Sequence, residues 1–218
     1  MINKMKSPQS IAELLLSIDV VTFRFNPPYT FTSGLKSPIY LDNRLVMSSP
    51  DAREKIVAAY VEAMEKHIGL SNIDVISGTA TAAIPQASWI AAALHLPMVY
   101  VRPSAKAHGK QKQLEGYFKK GSKVVIVEDH ISTGQSSIGN AQVIRDEGGI
   151  VEYCIATTDY ETKASQDNFR KHNIKRIALV TGKQIVDEAE KRGMLTKKEA
   201  QSVYSWLDDS VAWGKYYA

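Results

Sequence analysis

Apolar and polar residues alternate along this chain in two periods, and the periods trade places in a regular order. Ile11, Leu14, Leu15 and Ile18 fall at helical spacing, one apolar face of a short helix, with Ser7 as the expected N-cap and Pro8 as the first helical residue. Period-2 alternation around Ser33–Gly34 predicts a hairpin, with Pro38 marking an edge strand. Ser49 and Pro50 repeat the cap device and open a helix from about Asp51 to His67, packed through Ile56, Ala59, Tyr60 and Ala63. Three short apolar runs then read as strands: 74–78, 99–101 and 124–127. Val124 to Val127 are all β-branched, as in a strand buried on both faces of a parallel sheet.

The second half continues the alternation. A helix is predicted over 138–147, a strand over 151–157, a helix within 158–172 opening near Asp159, and a strand over 176–180. Two helices follow, roughly 184–191 and 197–207, the second opened by a capping box of Thr196 and Glu199. Strands alternating with helices imply an α/β fold with a mostly parallel sheet flanked by helices. The expected organisation is a single domain, with a small hood over residues 1–48 and a core over 49–218. Repeats, low-complexity tracts and linkers are absent.

Composition narrows the picture only a little. The chain has 218 residues, 44% hydrophobic and 23% charged, which suits one sizeable soluble domain. Cys154 is the single cysteine, so no intramolecular disulfide forms and a reducing cytoplasm fits. Apolar runs stay well short of the roughly 18 residues of a membrane span, and the N-terminus lacks a signal-peptide core. A net charge of +4 suits small anionic ligands as well as nucleic acid. Trp206, Trp213, Tyr216 and Tyr217 form an aromatic tail with few interleaved basic residues, which reads as packing or a subunit contact.

The chemistry concentrates in the turn after the third apolar run, Glu128-Asp129-His130-Ile131-Ser132-Thr133-Gly134-Gln135-Ser136. Two acids close a buried strand, and a hydroxyl-and-glycine turn leads into a helix. Ligands of open α/β sheets bind at strand carboxyl ends, and anions favour helix N-termini. The acids can accept bonds from neutral hydroxyls, while the amides of Thr133 to Ser136 can wrap a phosphate. A sugar phosphate presents both. The ordinary cap of a βα unit has the same composition, so the turn alone leaves both readings open. A second cationic stretch, Arg102 to Lys112, carries no acid and few apolar anchors, and reads as a lid or a solvated loop.

The turn as a whole resembles the 5-phosphoribosyl-1-pyrophosphate (PRPP) motif of type I phosphoribosyltransferases. Ser33-Gly34-x-x-Ser37-Pro38-x-Tyr40 resembles the N-terminal signature of orotate phosphoribosyltransferases, in the form found in Gram-positive bacteria, and Arg102-x-x-x-Lys106-x-His108-Gly109 resembles their catalytic loop. The resemblance implies the type I phosphoribosyltransferase fold and transfer of phosphoribose from PRPP to orotate, with Mg²⁺ held mainly through PRPP. It assigns the leaving pyrophosphate to Arg102, Lys106 and His108, and PRPP to these and to residues 128–136: Glu128, Asp129, His130, Ile131, Ser132, Thr133, Gly134, Gln135 and Ser136. Orotate falls to Ser132, Lys36 and Arg44. The partners implied are the two small substrates and a second copy in a homodimer with shared sites, with no nucleic acid and no membrane. Pro103, Thr32, Thr81-Ala82 and Tyr160 stand where other members carry lysine, lysine, a Tyr-Lys pair and arginine. The alternatives are a phosphoribosyltransferase for another base and a PRPP-sensing regulator that binds nucleic acid.

Overall fold

The computed structural model describes residues 10–31, 33–103 and 113–217, which group into two compact units. One comprises residues 1–52 with 182–218, and the other residues 53–181. The C-terminal helices, expected with the core, therefore belong with the N-terminal segment.

In the first unit, α1 (Ile11–Ser17) starts one turn later than the Ser7-Pro8 pattern suggested, and that pair lies outside the described residues. Ser10 is the cap, its hydroxyl accepting the Glu13 amide at 3.1 Å. Strands β1 (Val21–Phe23), β2 (Tyr29–Thr30), β3 (Lys36–Ser37) and β4 (Ile39–Leu41) follow. β2 and β3 form the predicted hairpin, with Gly34 at a φ of 83° in its turn. β1 pairs antiparallel with β4.

The second unit carries most of α2 (Pro50–His67). Its buried line is Ala52, Ile56, Tyr60 and Met64, while Ala59 and Ala63 are only half-buried. A strict i, i+4 stripe drifts slowly round a helix and here follows the sheet more closely than the i+3 members of the predicted face. Then come β5 (Val75–Thr79), α3 (Ile84–Leu94), β6 (Met98–Val101), β7 (Leu114–Glu115), β8 (Lys123–Ile131), α4 (Gln135–Asp146), β9 (Ile150–Asp159), α5 (Lys163–Lys171) and β10 (Lys175–Thr181). They build one six-stranded sheet in the order β10-β9-β8-β5-β6-β7, parallel except at β7.

Two departures from the pattern matter for the site. β8 does not end at Val127, because its ladder with β9 runs on through Glu128↔Ala156 and His130↔Thr158 to Ile131↔Asp159. Backbone pairing carries the strand past the end of its apolar run. Correspondingly, β9 reaches Asp159, and α5 waits for its own cap, where Thr162 Oγ1 accepts the Ser165 amide at 3.1 Å.

The chain closes with α6 (Gly182–Lys191), α7 (Lys197–Asp208) and α8 (Ser210–Gly214) of the first unit. Trp206 is buried, and its indole N–H donates to the Lys36 carbonyl at 2.8 Å; Trp213 is buried as well, whereas Tyr216 is exposed. These tryptophans pack the unit. Thr196 and Glu199 form the capping box, with Thr196 N–H donating to the Glu199 carboxylate at 2.8 Å. Thr196→Ala should lower stability by about 1 kcal/mol, a shift of about 2–4 °C in Tm for a chain of this size. A thermal scan against the unaltered protein measures it.

Candidate functional site

The site is set by the point at which β8 outruns its neighbour. β5 pairs with β8 only as far as Gly78↔Val127. From Glu128 onward the strand keeps β9 on one side and is no longer paired with β5 on the other. The acid pair stands at that step.

The two acids have different surroundings. Glu128 is only 5% exposed, and each carboxylate oxygen has a donor: Oε2 accepts the Ser137 hydroxyl at 2.9 Å, and Oε1 the Asp129 amide at 3.2 Å. Burial, with the Asp129 charge next to it, pushes the Glu128 carboxyl well above the usual range. Asp129 is half-buried and alternates to the opposite face. Asp129 is therefore the more accessible of the two carboxylates, with Glu128 fixed behind the turn.

Past the acids the turn is built to leave amides unused. The Ser132 carbonyl accepts the Thr162 hydroxyl at 2.7 Å, and the Thr133 carbonyl accepts the Asn168 side-chain amide at 2.9 Å. With those carbonyls tied back, the side chains of Ser132, Thr133, Gln135 and Ser136 are exposed. The first-turn amides of α4 have no intrahelical acceptor. Gly134 caps the helix in the left-handed region at a φ of 78°, and a Cβ there would lie 2.5 Å from the Phe169 ring. Only glycine fits that place. The result is a concave set of N–H donors at a twelve-residue helix, a geometry suited to phosphate.

A cleft of about 540 Å³ adjoins this turn, lined in part by Thr79, Ala80, Arg102, Gln113, Gln135 and Ser136. Asn140 of α4 ties its floor to β5, accepting from Ser77 Oγ at 2.9 Å and donating to Thr79 Oγ1 at 3.1 Å. The Ala80–Thr81 peptide is cis. Arg102 leaves β6 with its amide donating to the Gln113 carbonyl at 2.9 Å, and its guanidinium lies 3.7 Å from Glu115. Gln113 closes the base of the intervening segment, its side-chain amide donating to the carbonyls of Arg102 and Pro103.

The predicted residues distribute unevenly. Glu128 to Ser136 and Arg102 lie within one unit, around the strand end and the cleft. Lys106 and His108 lie outside the described residues, as does Thr32. Lys36 and Arg44 belong to the other unit, where Lys36 donates to Thr30 Oγ1 at 2.9 Å and Arg44 grips Asp42 through two bonds of 2.6 and 2.8 Å. Ile131 is a buried strand residue. Asp159, predicted to open a helix, is buried against Arg176.

His130 turns inward. Nδ1 lies 2.8 Å from Thr158 Oγ1, the ring meets Tyr160 edge-on with centroids 4.2 Å apart, and Nε2 is buried with no partner. Thr158 Oγ1 also donates to the Asp129 carbonyl at 3.3 Å. Sequence reasoning read Tyr60 only as packing and passed over Ser137, Thr157 and Thr158. Tyr60, Ser137 and Thr158 touch the acid pair or its main chain, and Thr157 meets the Tyr60 hydroxyl. The pair of threonines at the end of an apolar strand was the available signal.

Comparison with known proteins identifies the family. Residues 51–186 match the model of the phosphoribosyl transferase domain. The chain is 43% identical to the orotate phosphoribosyltransferase of Coxiella burnetii, across 96% of this chain and 99% of the relative. It is 40% identical to that of Halalkalibacterium halodurans, across 94% and 98%. Among solved structures, the orotate phosphoribosyltransferase of Aeropyrum pernix superposes with a TM-score of 0.73 at 28% identity, covering 85% of this chain and 99% of that one.

Burial lowers the His130 imidazole to about 4, against about 6.5 for a free one. Between those values the unfolded chain binds the proton that the folded chain refuses. Stability should therefore fall as pH drops below about 6.5, by about 1.4 kcal/mol per unit, and this contribution should level off below about 4. Urea unfolding from pH 7 to 5 checks it, with His130→Leu giving the flatter curve.

Proposed function

Because the chain belongs to the phosphoribosyl transferase family, among its orotate phosphoribosyltransferases, we propose that it joins orotate to PRPP, yielding orotidine 5′-monophosphate and pyrophosphate in pyrimidine synthesis. The observation that carries this reading is the acid pair abutting a ring of unused amides, one place for a ribose diol and a phosphate together. The bond from ribose C1 to pyrophosphate oxygen breaks, and C1 bonds to a ring nitrogen of orotate, whose N–H proton is released with the pyrophosphate. Positive charge grows on the sugar and negative charge on the leaving oxygens. Asp129 holds the ribose hydroxyls and contributes negative potential beside the cationic sugar, with Glu128 behind it. The amides and hydroxyls of Thr133 to Ser136 take the 5′-phosphate. Arg102, with Lys106 and His108, grips the leaving pyrophosphate more tightly as its charge grows. Ser132, exposed at the turn, takes orotate.

Mg²⁺ needs hard oxygen ligands and takes them from one or two carboxylates, waters and substrate phosphates. Asp129 is the half-exposed acid at this strand end, and the described residues hold no cluster of three or more His, Cys, Asp or Glu side chains able to bind a metal. The donor set fits an ion that arrives on PRPP. When bound, the ion neutralises charge on the leaving pyrophosphate.

The working enzyme is a homodimer with shared sites, acting in the cytoplasm. α3 (Ile84–Leu94) carries no charged residue, yet Ser88, Ala92 and Ala93 on it are exposed. A helix apolar all round is normally covered. With Val57, Ala58 and Val61 of α2, it lines a groove of about 690 Å³. Arg53, stacked over Trp89 at 5.4 Å, and Glu62 sit along α2 beside it. That arrangement can pair with its own copy about a two-fold axis. Cys154 is the single thiol and is fully buried, and no helix among the described residues is long and apolar enough to cross a membrane.

Asp129→Asn should weaken PRPP binding at least tenfold, about 1.4 kcal/mol, with little change in melting temperature; calorimetric titration with PRPP and Mg²⁺ measures it. Unaltered affinity would remove the strand end from the site. For the shared sites, inactive Lys106→Ala and Asp129→Asn proteins are mixed and reassembled. A mixed dimer then holds one site with both lesions and one with neither, so activity should return, up to half a normal dimer's for each mixed dimer. Silence, with mixed dimers shown to have formed, would mean that each subunit uses its own lid.

A further inference from the structure

The main chain under the acid pair is anchored from both faces of the sheet. β8 and β9 pair Glu128 with Ala156 and His130 with Thr158, so the neighbouring Thr157 and Thr158 of β9 point to opposite faces. On the α2–α3 face, Tyr60 is completely buried, and its hydroxyl lies 2.9 Å from the Glu128 carbonyl, 2.8 Å from Thr157 Oγ1 and 3.1 Å from Gln86 Oε1. Thr157 in turn donates to Gln86 Oε1 at 2.9 Å. With that proton spent, the Tyr60 proton is available for the Glu128 carbonyl. On the other face Thr158 donates to the Asp129 carbonyl at 3.3 Å, held by His130 Nδ1. Consecutive carbonyls are thus each met by a side-chain hydroxyl, that of Glu128 from Tyr60 just past the point where β5 stops, and that of Asp129 from Thr158 on the strand that stays paired.

We propose that Tyr60 and Thr158 are positioning residues for PRPP, fixing the twist of the 128–129 peptide units so that the Asp129 carboxylate faces the ribose hydroxyls. Neither touches the substrates; they act through the main chain of the acid pair. A strand paired on one side can rotate about its remaining ladder. A displacement of about 1 Å at a reacting group can cost two orders of magnitude in rate. Buried hydroxyls cannot be exchanged for water, so removing one leaves its carbonyl without that donor.

The proposal rests on the assignment of PRPP to this strand end, and the test separates the two. Tyr60→Phe and Thr158→Val remove one oxygen each while keeping shape closely. PRPP binding with Mg²⁺ is measured by calorimetry, and KM for PRPP and for orotate by turnover, beside Tm. Each variant should bind PRPP about tenfold more weakly and raise its KM alike, with KM for orotate within twofold of the unaltered enzyme. Thr158→Ser, which keeps the hydroxyl, should restore PRPP binding to within threefold. The claim is overturned if PRPP binding is unchanged while Tm falls, if both substrates' KM values rise together, or if Thr158→Ser binds as poorly as Thr158→Val. Failure of the unaltered protein to bind PRPP would instead remove the assignment of the site itself.

Discussion

The structure depends on an uneven ending of the parallel sheet. β5 stops at the level of Val127, and β8 continues beside β9 for four residues more. Had both neighbours continued, the main chain of Glu128 to Ile131 would be enclosed on both edges and could meet nothing. Had both stopped, the acids would sit on a free loop without fixed direction. One remaining ladder, from Glu128↔Ala156 to Ile131↔Asp159, gives the acids a defined pleat, so Glu128 and Asp129 must take opposite faces. The two environments follow from that alternation: one carboxylate is buried against Ser137 and the other is half-buried on the opposite face.

Much of this was readable before any coordinates. Short β-branched runs separated by helical periodicity identified the parallel sheet, because a strand buried on both faces has no polar side to display. The Thr196–Glu199 box was legible to the residue, since capping is decided within four positions. The acids, hydroxyls and glycine of 128–136 could likewise be read as a ligand turn. What escaped was decided between distant segments. The extension of β8 past Val127 is a property of its partner, β9, and no local pattern in 128–131 announces it. The cap at Ser10 rather than Ser7 was a choice between two serines with a proline beside one.

The sorting of buried polar groups was also out of reach, for a related reason. Tyr60 is an aromatic on a helical face, and periodicity reads it as packing. Its hydroxyl acquires a role only when β8 and β9 bring Glu128 and Thr157 to it across 68 and 97 residues of sequence. Phe169 is equally unremarkable in its own helix, yet its ring is what bars every side chain from position 134. Gly134 was legible as a turn residue; the neighbour that makes glycine obligatory there was not.

Burial of Glu128 shows what this arrangement costs and what it returns. A carboxylate 5% exposed beside a second carboxylate is unfavourable as an ion, and its affinity for a proton rises accordingly. Two donors, Ser137 Oγ and the Asp129 amide, offset part of that cost. Neither is a cation, so no fixed positive charge holds Glu128 in its ionised form. Asp159, one strand away, illustrates the opposite solution: it is equally buried but neutralised by Arg176. A structural acid can accept such a partner. Glu128 is held by a hydroxyl and an amide, with no cation among its hydrogen-bond partners in the described residues, whereas Asp159 is held by a guanidinium: two ways of burying a carboxyl on neighbouring strands.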